Sequence, residues 1–289
     1  NDHIAGKYVQ SLMNEGLSLS YVSDNIRAVK DFLIWLERQR GYRSKIDYNH
    51  IAYLNISRNQ RNAAKAPDYQ KAYTFDQIIG TIRQMPDVTE KERRDRAIIS
   101  LQALCTLRIN ELRTVKLRSL IEENGSYFVY VSPKHMSVKF SKTRYVHFIP
   151  LPLDIVANVI DWRDHLIAMG FKYTDPLFPK IDSRFGKSNL LEQKMQVAEI
   201  RSDSAIREVF RIAFGSAGYP YIKPHNFRKT LTRYAEHQSP AFLNAVRQNL
   251  GHDSIDTTLS SYGQMSVADQ GKAISSVKID KTRGNGEAG

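Results

Sequence analysis

In Pro224-His225-Asn226-Phe227-Arg228 an imidazole and a guanidinium stand three residues apart. That is one turn of a helix that Pro224 would open, so both can face one pocket. Upstream lies Thr106-Leu107-Arg108-Ile109-Asn110-Glu111-Leu112, and downstream Leu250-Gly251-His252 followed by Thr257-Thr258-Leu259-Ser260-Ser261-Tyr262. Each run is common by itself. In this order, an Arg, a His-x-x-Arg, a Gly-His and a Tyr make a set suited to one reaction, attack of a tyrosine hydroxyl on a DNA phosphodiester.

The chemistry asks for these residue types. A phosphodiester under attack gathers negative charge on its non-bridging oxygens, and forked, permanently charged guanidiniums match it bidentately; Arg108 and Arg228 are the candidates. The nucleophile must be a hydroxyl that can form a covalent phosphoester. A tyrosine ionises near pH ~10 unperturbed, so neighbouring positive charge helps Tyr262 react. The chain holds 15 Tyr, and only its place after Leu250-Gly251-His252 singles out Tyr262. His225 suits acid–base work or contact with the phosphate, and His252 suits a hydrogen bond to the phosphate. Glu111 suits orienting Arg108 or His225; the plain alternative is an exposed helix residue.

Composition sets the frame. The 289 residues carry 42 Lys+Arg against 30 Asp+Glu, a net charge of +12. Residues 1–66 hold ten basic and six acidic side chains, so the excess is spread over the chain and points to a polyanionic partner, nucleic acid first. With 42% hydrophobic residues the chain can bury a core. A lone cysteine, Cys105, excludes an internal disulfide framework and a multi-cysteine metal site; among Leu101, Ala103, Leu104 and Leu107 it reads as a small buried hydrophobe. No run approaches the ~20 apolar residues of a membrane span, and no signal peptide opens the chain, so a cytoplasmic location and no membrane partner are expected. The chain opens on Asn1 rather than Met, as a fragment would.

Residues 1–66 read as a small helical bundle with basic faces. Val22, Ile26, Val29, Phe32, Leu33 and Leu36 recur at helical spacing within Tyr21–Arg40, with Gly41 as the stop. A shorter helix precedes it over Ile4–Glu15, and another is expected over 48–60. Residues 58–73 are polar and basic and read either as a linker or as an inter-helix loop. Thr74-Phe75-Asp76-Gln77 is a capping box whose helix should stop before Pro86, and the next helix covers about Thr89–Cys105. The period then changes: Tyr127–Val131 and Tyr145–Ile149 are rich in β-formers and predict a small antiparallel sheet with a basic connection holding Lys134, Lys139 and Lys142. Helices are expected over Leu153–Met169, Ala205–Ala217, Phe227–Glu236, Pro240–Leu250, Thr257–Ser261 and about Val267–Val277, with 171–203 irregular. Gly186-Lys187-Ser188 is not a phosphate loop, since that motif needs a Gly where Ile181 stands.

The three boxes together resemble the tyrosine recombinases, the phage integrase family, over roughly residues 74–265. Arg96 through Leu112 looks like that family's first arginine box, Pro224–Arg228 like its His-x-x-Arg box, and Leu250 to Tyr262 like its nucleophile box. Two departures stand out: Thr106 occupies a position usually Gly, and Tyr262 follows His252 at an interval of ten positions. The resemblance implies a mainly α fold with a small antiparallel β-sheet, a two-domain DNA clamp. Residues 1–66 would be the helical core-binding domain, and 67–289 a mixed α/β catalytic domain ending in a helix that packs on a neighbouring protomer. It implies a hairpin lysine that protonates the leaving 5′-oxygen. Lys142, eight residues before Pro150, is favoured, with Pro133–Phe140 as an insertion.

The implied function is site-specific recombination or integration through a 3′-phosphotyrosyl intermediate and a Holliday junction, with no cofactor, metal or ATP. The implied partners are double-stranded DNA, a homo-tetramer on synapsed sites, and accessory DNA-bending or directionality proteins. The implied setting is the nucleoid, with a bacterial or phage origin. Two rivals share much of this: a type IB topoisomerase that relaxes supercoils as a monomer, and an architectural DNA-binding protein that kept the fold and lost the chemistry. A basic helical interaction module is a third.

Overall fold

The structure, a computed structural model, describes residues 2–65, 72–138, 143–185 and 191–251. The chain divides into two compact units, 1–68 and 69–289.

The described part of the first unit is helical: α1 Asp2–Asn14, α2 Leu19–Glu37, α3 Tyr48–Ile51 and α4 Arg58–Lys65. Leu12, Val22, Ile26, Leu54 and Ile56 form its core, with Tyr8, Val9, Val29 and Leu33 against them. Ser18 starts α2 by accepting the Tyr21 N–H at 3.2 Å. The helix stops at Glu37, with Arg38 as its C-cap, earlier than Gly41. The single helix expected over 48–60 is two. Leu54 and Ile56 turn into the core between them, and a new N-terminus begins at Ser57. There Gln60 Oε1 accepts the Ser57 N–H at 2.9 Å and Ser57 Oγ accepts the Gln60 N–H at 3.2 Å. The polar stretch read as a linker or loop is therefore helical as far as Lys65.

In the second unit, α5 Phe75–Gln84 starts on the Thr74 capping box, and α6 Glu90–Cys105 starts on a second one formed by Thr89 and Glu92. α6 is the central helix. Its residues from Ala97 to Cys105 are all buried, and α8, Leu153–Ala168, packs along it. Trp162 of α8 is buried and donates its indole N–H to the Leu177 carbonyl at 2.7 Å. Two charges near the head of α6, Arg94 and Asp95, are buried. Arg94 Nη2 meets Asp95 Oδ1 at 2.7 Å, Lys91 Nζ meets Asp95 Oδ2 at 2.6 Å, and Arg94 Nη1 donates to the Pro179 carbonyl at 3.0 Å.

After α7, Ile109–Thr114, comes an antiparallel sheet in the order β1 (Leu120–Glu123), β2 (Ser126–Val131), β3 (Arg144–His147). Leu120 faces Val129, and Val129 faces Val146. The first strand was not expected, since its Leu-Ile-Glu-Glu run is too short to show alternation. The region 171–203, expected to be irregular, holds a second antiparallel pair, β4 (Pro179–Phe185) and β5 (Leu191–Glu199). Ile181 stands opposite Met195 and both pack against the core, while Asp182 takes Lys180 Nζ at 2.6 Å on its own strand. Helices α9 (Asp203–Ser216), α10 (Phe227–Glu236) and α11 (Pro240–Leu250) complete the described unit.

Tyr73 fastens the start of this unit. Its hydroxyl donates to the Pro220 carbonyl at 2.5 Å and accepts the Ile222 N–H at 3.0 Å, and its ring stacks on Phe214 at 4.0 Å. Burial pushes the Tyr73 phenol up to about 12, so it stays neutral.

Candidate active site

Helix α6 ends in Thr106, whose backbone is left-handed at φ 46° and ψ 45°. That turn sends the chain sharply into Arg108, which is the N-cap of α7. Glu111, one turn on, accepts the Arg108 N–H at Oε2 (2.9 Å) and meets its Nη1 at Oε1 (3.3 Å). The Arg108 side chain remains 23% exposed, while Glu111 is fully buried. The reading of Glu111 as an exposed helix residue is excluded by that burial.

A second guanidinium completes the pairing of Glu111. Arg144, the first residue of β3, donates from Nη1 to Glu111 Oε1 at 3.0 Å and from Nη2 to Oε2 at 2.6 Å. Burial by itself would push the Glu111 carboxyl up. The hydrogen bonds and charge of Arg144, together with the Arg108 N–H and charge, outweigh it and hold the carboxyl below its usual range. Glu111 is therefore a buried carboxylate, ionised at neutral pH, serving two arginines.

The other boxes are tied to this centre through backbone carbonyls. Arg228, in the first turn of α10 and 1% exposed, donates from Nη1 to the Thr106 carbonyl at 2.9 Å and from Nη2 to the Leu250 carbonyl. Gln102 of α6, fully buried, sends its amide to the carbonyls of Leu107 and Pro224, both at 3.1 Å. Arg144 Nε donates to the Asn249 carbonyl at 3.2 Å. The Asn249 amide pairs with the main chain of His147, accepting its N–H at 3.1 Å and donating to its carbonyl at 2.9 Å. The end of α11 is thus stitched to β3 much as a further strand would be. Gly251 turns the chain at φ 66°, and a Cβ there would stand 3.1 Å from Arg144 Cδ.

Of the seven residues given roles in the reaction, four are described. Arg108 and Glu111 pair directly, and Arg228 is tied to the turn that leads into them through the Thr106 carbonyl. His225 sits in a short 3-10 turn, Pro224–Asn226, and is exposed where Arg228 is buried, because the 3-10 turn leads into α10 in place of a single helix begun at Pro224. Tyr262, His252 and Lys142 lie outside the described residues, as does Lys139; Lys134 is exposed. Cys105 is buried, and burial pushes its thiol well up, which suits a packing role over a nucleophilic one.

Arg144, Gln102, Asn249 and Gly251 belong to the site and were not singled out. The signal available for Arg144 was membership of a basic hairpin; for Asn249 and Gly251 it was adjacency to the Leu-Gly-His run. Two guanidiniums on the Glu111 carboxylate, with the Arg228 guanidinium bound to neutral carbonyls, leave an excess of positive charge. In a partly buried setting that excess suits an anion such as a phosphodiester. No described helix is long and apolar enough to cross a membrane.

Residues 73–268 match the phage integrase family. Over 243 residues the chain is 23% identical to a tyrosine recombinase XerC from Lactobacillus delbrueckii subsp. bulgaricus, covering 84% of this chain and 71% of that one. In fold it is similar to a XerH site-specific recombinase bound to a palindromic difH substrate in a post-cleavage complex. The TM-score is 0.68 at 18% identity, over 96% of this chain and 72% of that one. It is also similar to a lambda integrase dimer bound to a COC′ core site, with a TM-score of 0.60 at 15% identity, over 91% and 80% of the two chains. The fold is therefore the mainly helical one with small antiparallel sheets that the sequence implied. With the family match extending from Tyr73 past Arg108, Arg228 and Tyr262, the chain belongs to the phage integrase family, the tyrosine recombinases.

Proposed function

We propose that this chain is a site-specific DNA recombinase or integrase that cleaves and rejoins strands through a 3′-phosphotyrosyl intermediate. The observation that carries this reading is the path of hydrogen bonds joining the three boxes. Arg228 holds the carbonyls of Thr106 and Leu250, so the turn before Arg108 and the start of the segment running to Tyr262 share one guanidinium.

In the proposed reaction the Tyr262 oxygen attacks the phosphorus, a new O–P bond forms, and the bond to the 5′-oxygen breaks. Arg108 and Arg228 balance the charge on the non-bridging oxygens. Lys142 gives its proton to the departing 5′-oxygen, His225 takes the phenol proton of Tyr262 or contacts the phosphate, and His252 hydrogen-bonds the phosphate. Rejoining is the same step run backward with the 5′-hydroxyl of a partner strand. The phosphotyrosyl link keeps the bond energy, so neither ATP nor a metal ion has a step to drive. Residues 1–66 would form the DNA-clamping domain and 67–289 the catalytic domain, whose C-terminal segment near Val267–Val277 packs on a neighbouring protomer. Four protomers would exchange strands in pairs through a Holliday junction, where bacterial or phage DNA lies, in the cytoplasm. The relatives named as recombinases, one in a complex with cleaved substrate, support this reading over the topoisomerase and the inactive architectural protein.

The test is an SDS-resistant adduct on nicked duplexes carrying candidate sites, comparing the chain with Tyr262→Phe. The expected result is an adduct that vanishes in the variant, and strand exchange between two site-bearing duplexes. An adduct that survives the substitution removes Tyr262 as nucleophile. Relaxation of supercoiled DNA by a monomer without strand exchange would favour the topoisomerase. Binding with no adduct from either protein would favour the architectural role.

A further inference from the structure

Arg144 belongs to none of the three boxes, yet all three of its guanidinium nitrogens are engaged within the site. Its side chain is 8% exposed, and the guanidinium spends both terminal nitrogens on Glu111, at 3.0 and 2.6 Å, and its Nε on the Asn249 carbonyl at 3.2 Å. Gly251 leaves room for it: an added Cβ would meet Arg144 Cδ at 3.1 Å and Nε at 3.3 Å. Arg108 is bound more loosely. Among the described residues its guanidinium makes one hydrogen bond, the 3.3 Å contact with Glu111 Oε1, and keeps 23% of its side chain exposed.

We propose that Arg144 is a positioning residue that acts as the counter-ion of Glu111, leaving the Arg108 guanidinium for the substrate phosphate. This rests on the recombinase reading and extends it to a residue that touches no substrate. A buried carboxylate takes whatever cation is nearest, because an unpaired charge there is costly. With Arg144 present, both carboxylate oxygens are engaged by its fork, and Glu111 needs little more from Arg108 than the backbone N–H. Without Arg144, the nearest guanidinium is Arg108, three residues away on the same helix terminus. It would fold back on Glu111 as a full ion pair. The site would then lose a phosphate ligand although Arg108 is still present. Through Asn249 the same guanidinium also fixes the end of α11, so the first arginine and the start of the nucleophile segment are referred to one point.

The test separates this role from simple support of the fold. Arg144→Gln and Arg144→Lys are compared with Glu111→Gln and with the double variant Arg144→Gln/Glu111→Gln. Gln at 111 keeps an oxygen to accept the Arg108 N–H while removing the charge that would capture Arg108. Single-turnover adduct formation on a nicked duplex is followed for each folded variant. Arg144→Gln is expected to slow it about tenfold or more, equivalent to one lost phosphate interaction, and the double variant to recover part of that loss. A double variant slower than Arg144→Gln, or an Arg144→Gln rate within about twofold of the original, overturns the proposal.

A second readout needs no cleavage. The Glu111 carboxyl is followed by carbon-13 NMR and assigned by difference from Glu111→Gln. It is expected to titrate at higher pH in Arg144→Gln than in the unaltered chain. Unchanged titration overturns the counter-ion role. If the unaltered chain forms no adduct on any site, the recombinase reading fails, and the titration still decides whether Arg144 neutralises Glu111.

Discussion

The guanidinium of Arg228 donates to the carbonyl of Thr106 at 2.9 Å across 122 residues of sequence, and a left-handed turn at φ 46° presents that carbonyl. A β-branched residue is a poor occupant of such a turn, where Cβ crowds the backbone by about 1–2 kcal/mol. The Thr106 hydroxyl is also buried with no partner among the described residues, a further cost of about 1 kcal/mol. The family's usual Gly has neither penalty.

Thr106→Gly is therefore expected to stabilise the protein, since the lost methyl burial and the extra chain entropy of Gly offset only part of the two penalties. The net gain is about 1 kcal/mol, read as a rise in the midpoint of urea unfolding at unchanged slope. Arg108 and Arg228 keep their partners, so adduct formation should stay within about twofold. A loss of stability would mean that the Thr106 side chain contributes packing that outweighs its strain.

Gly251→Ala should act in the opposite direction. The backbone there is left-handed at φ 66°, and the new methyl would meet Arg144 Cδ at 3.1 Å. Arg144 cannot swing away cheaply, because Glu111 and the Asn249 carbonyl hold its guanidinium on two sides. A loss of about 1–3 kcal/mol in stability is expected, with slower adduct formation, because the displaced side chain is the one that engages Glu111. A change below about 0.5 kcal/mol would show that Arg144 yields without leaving its partners.

What the sequence revealed and what it hid divide along the range of the interactions. The capping box at Thr74, the helices over 227–236 and 240–250, and the three boxes are short runs whose meaning lies within a few residues. The sheet pairing of Phe128 and Val129 with His147 and Val146 followed from two local β-rich runs. The β4–β5 pair was hidden because β4 opens on Pro179 and both strands are largely polar, with Ile181 and Met195 the residues that pack on the core. Helix α4 was hidden for the same reason, with Arg58, Asn59, Gln60 and Arg61 giving no apolar stripe. Arg144 was hidden by distance. It lies 33 residues from Glu111 and 105 from Asn249, and in the sequence it is one more basic residue of a hairpin.

Glu236 gives the stability a pH dependence of known sign. It lies at the end of α10, and its Oε1 is buried with no partner among the described residues. Burial pushes its carboxyl up to about 7, against the pull of Arg233. An unfolded glutamate ionises near the ordinary value of 4.5. Between these values the folded chain holds a proton that the unfolded chain has released, so stability falls as pH rises through this window and levels off above about 7. Glu236→Gln carries no charge to bury. The difference in melting temperature between variant and original should therefore grow in the variant's favour from about pH 5 to about pH 8. A difference that stays constant across that range would show that Glu236 ionises at its ordinary value.

The last prediction concerns the proton given to the leaving 5′-oxygen. An alkoxide leaves slowly unless protonated, whereas a thiolate, the anion of a far more acidic group, leaves without help. Replacing the bridging 5′-oxygen by sulfur therefore removes the need for the acid and no other requirement of the site. Lys142→Ala should slow adduct formation on the oxygen substrate by about 10²-fold or more and recover close to the original rate on the sulfur substrate. Arg108→Ala and Arg228→Ala, which remove charge from the non-bridging oxygens, should remain slow on both. The same pair of substrates tests the other lysine of the connection. If Lys139→Ala shows the sulfur rescue and Lys142→Ala does not, the proton comes from Lys139, and the spacing to Pro150 was the wrong guide. Rescue of neither lysine variant would assign the proton to a different group, with His225, exposed on its 3-10 turn, the next to substitute.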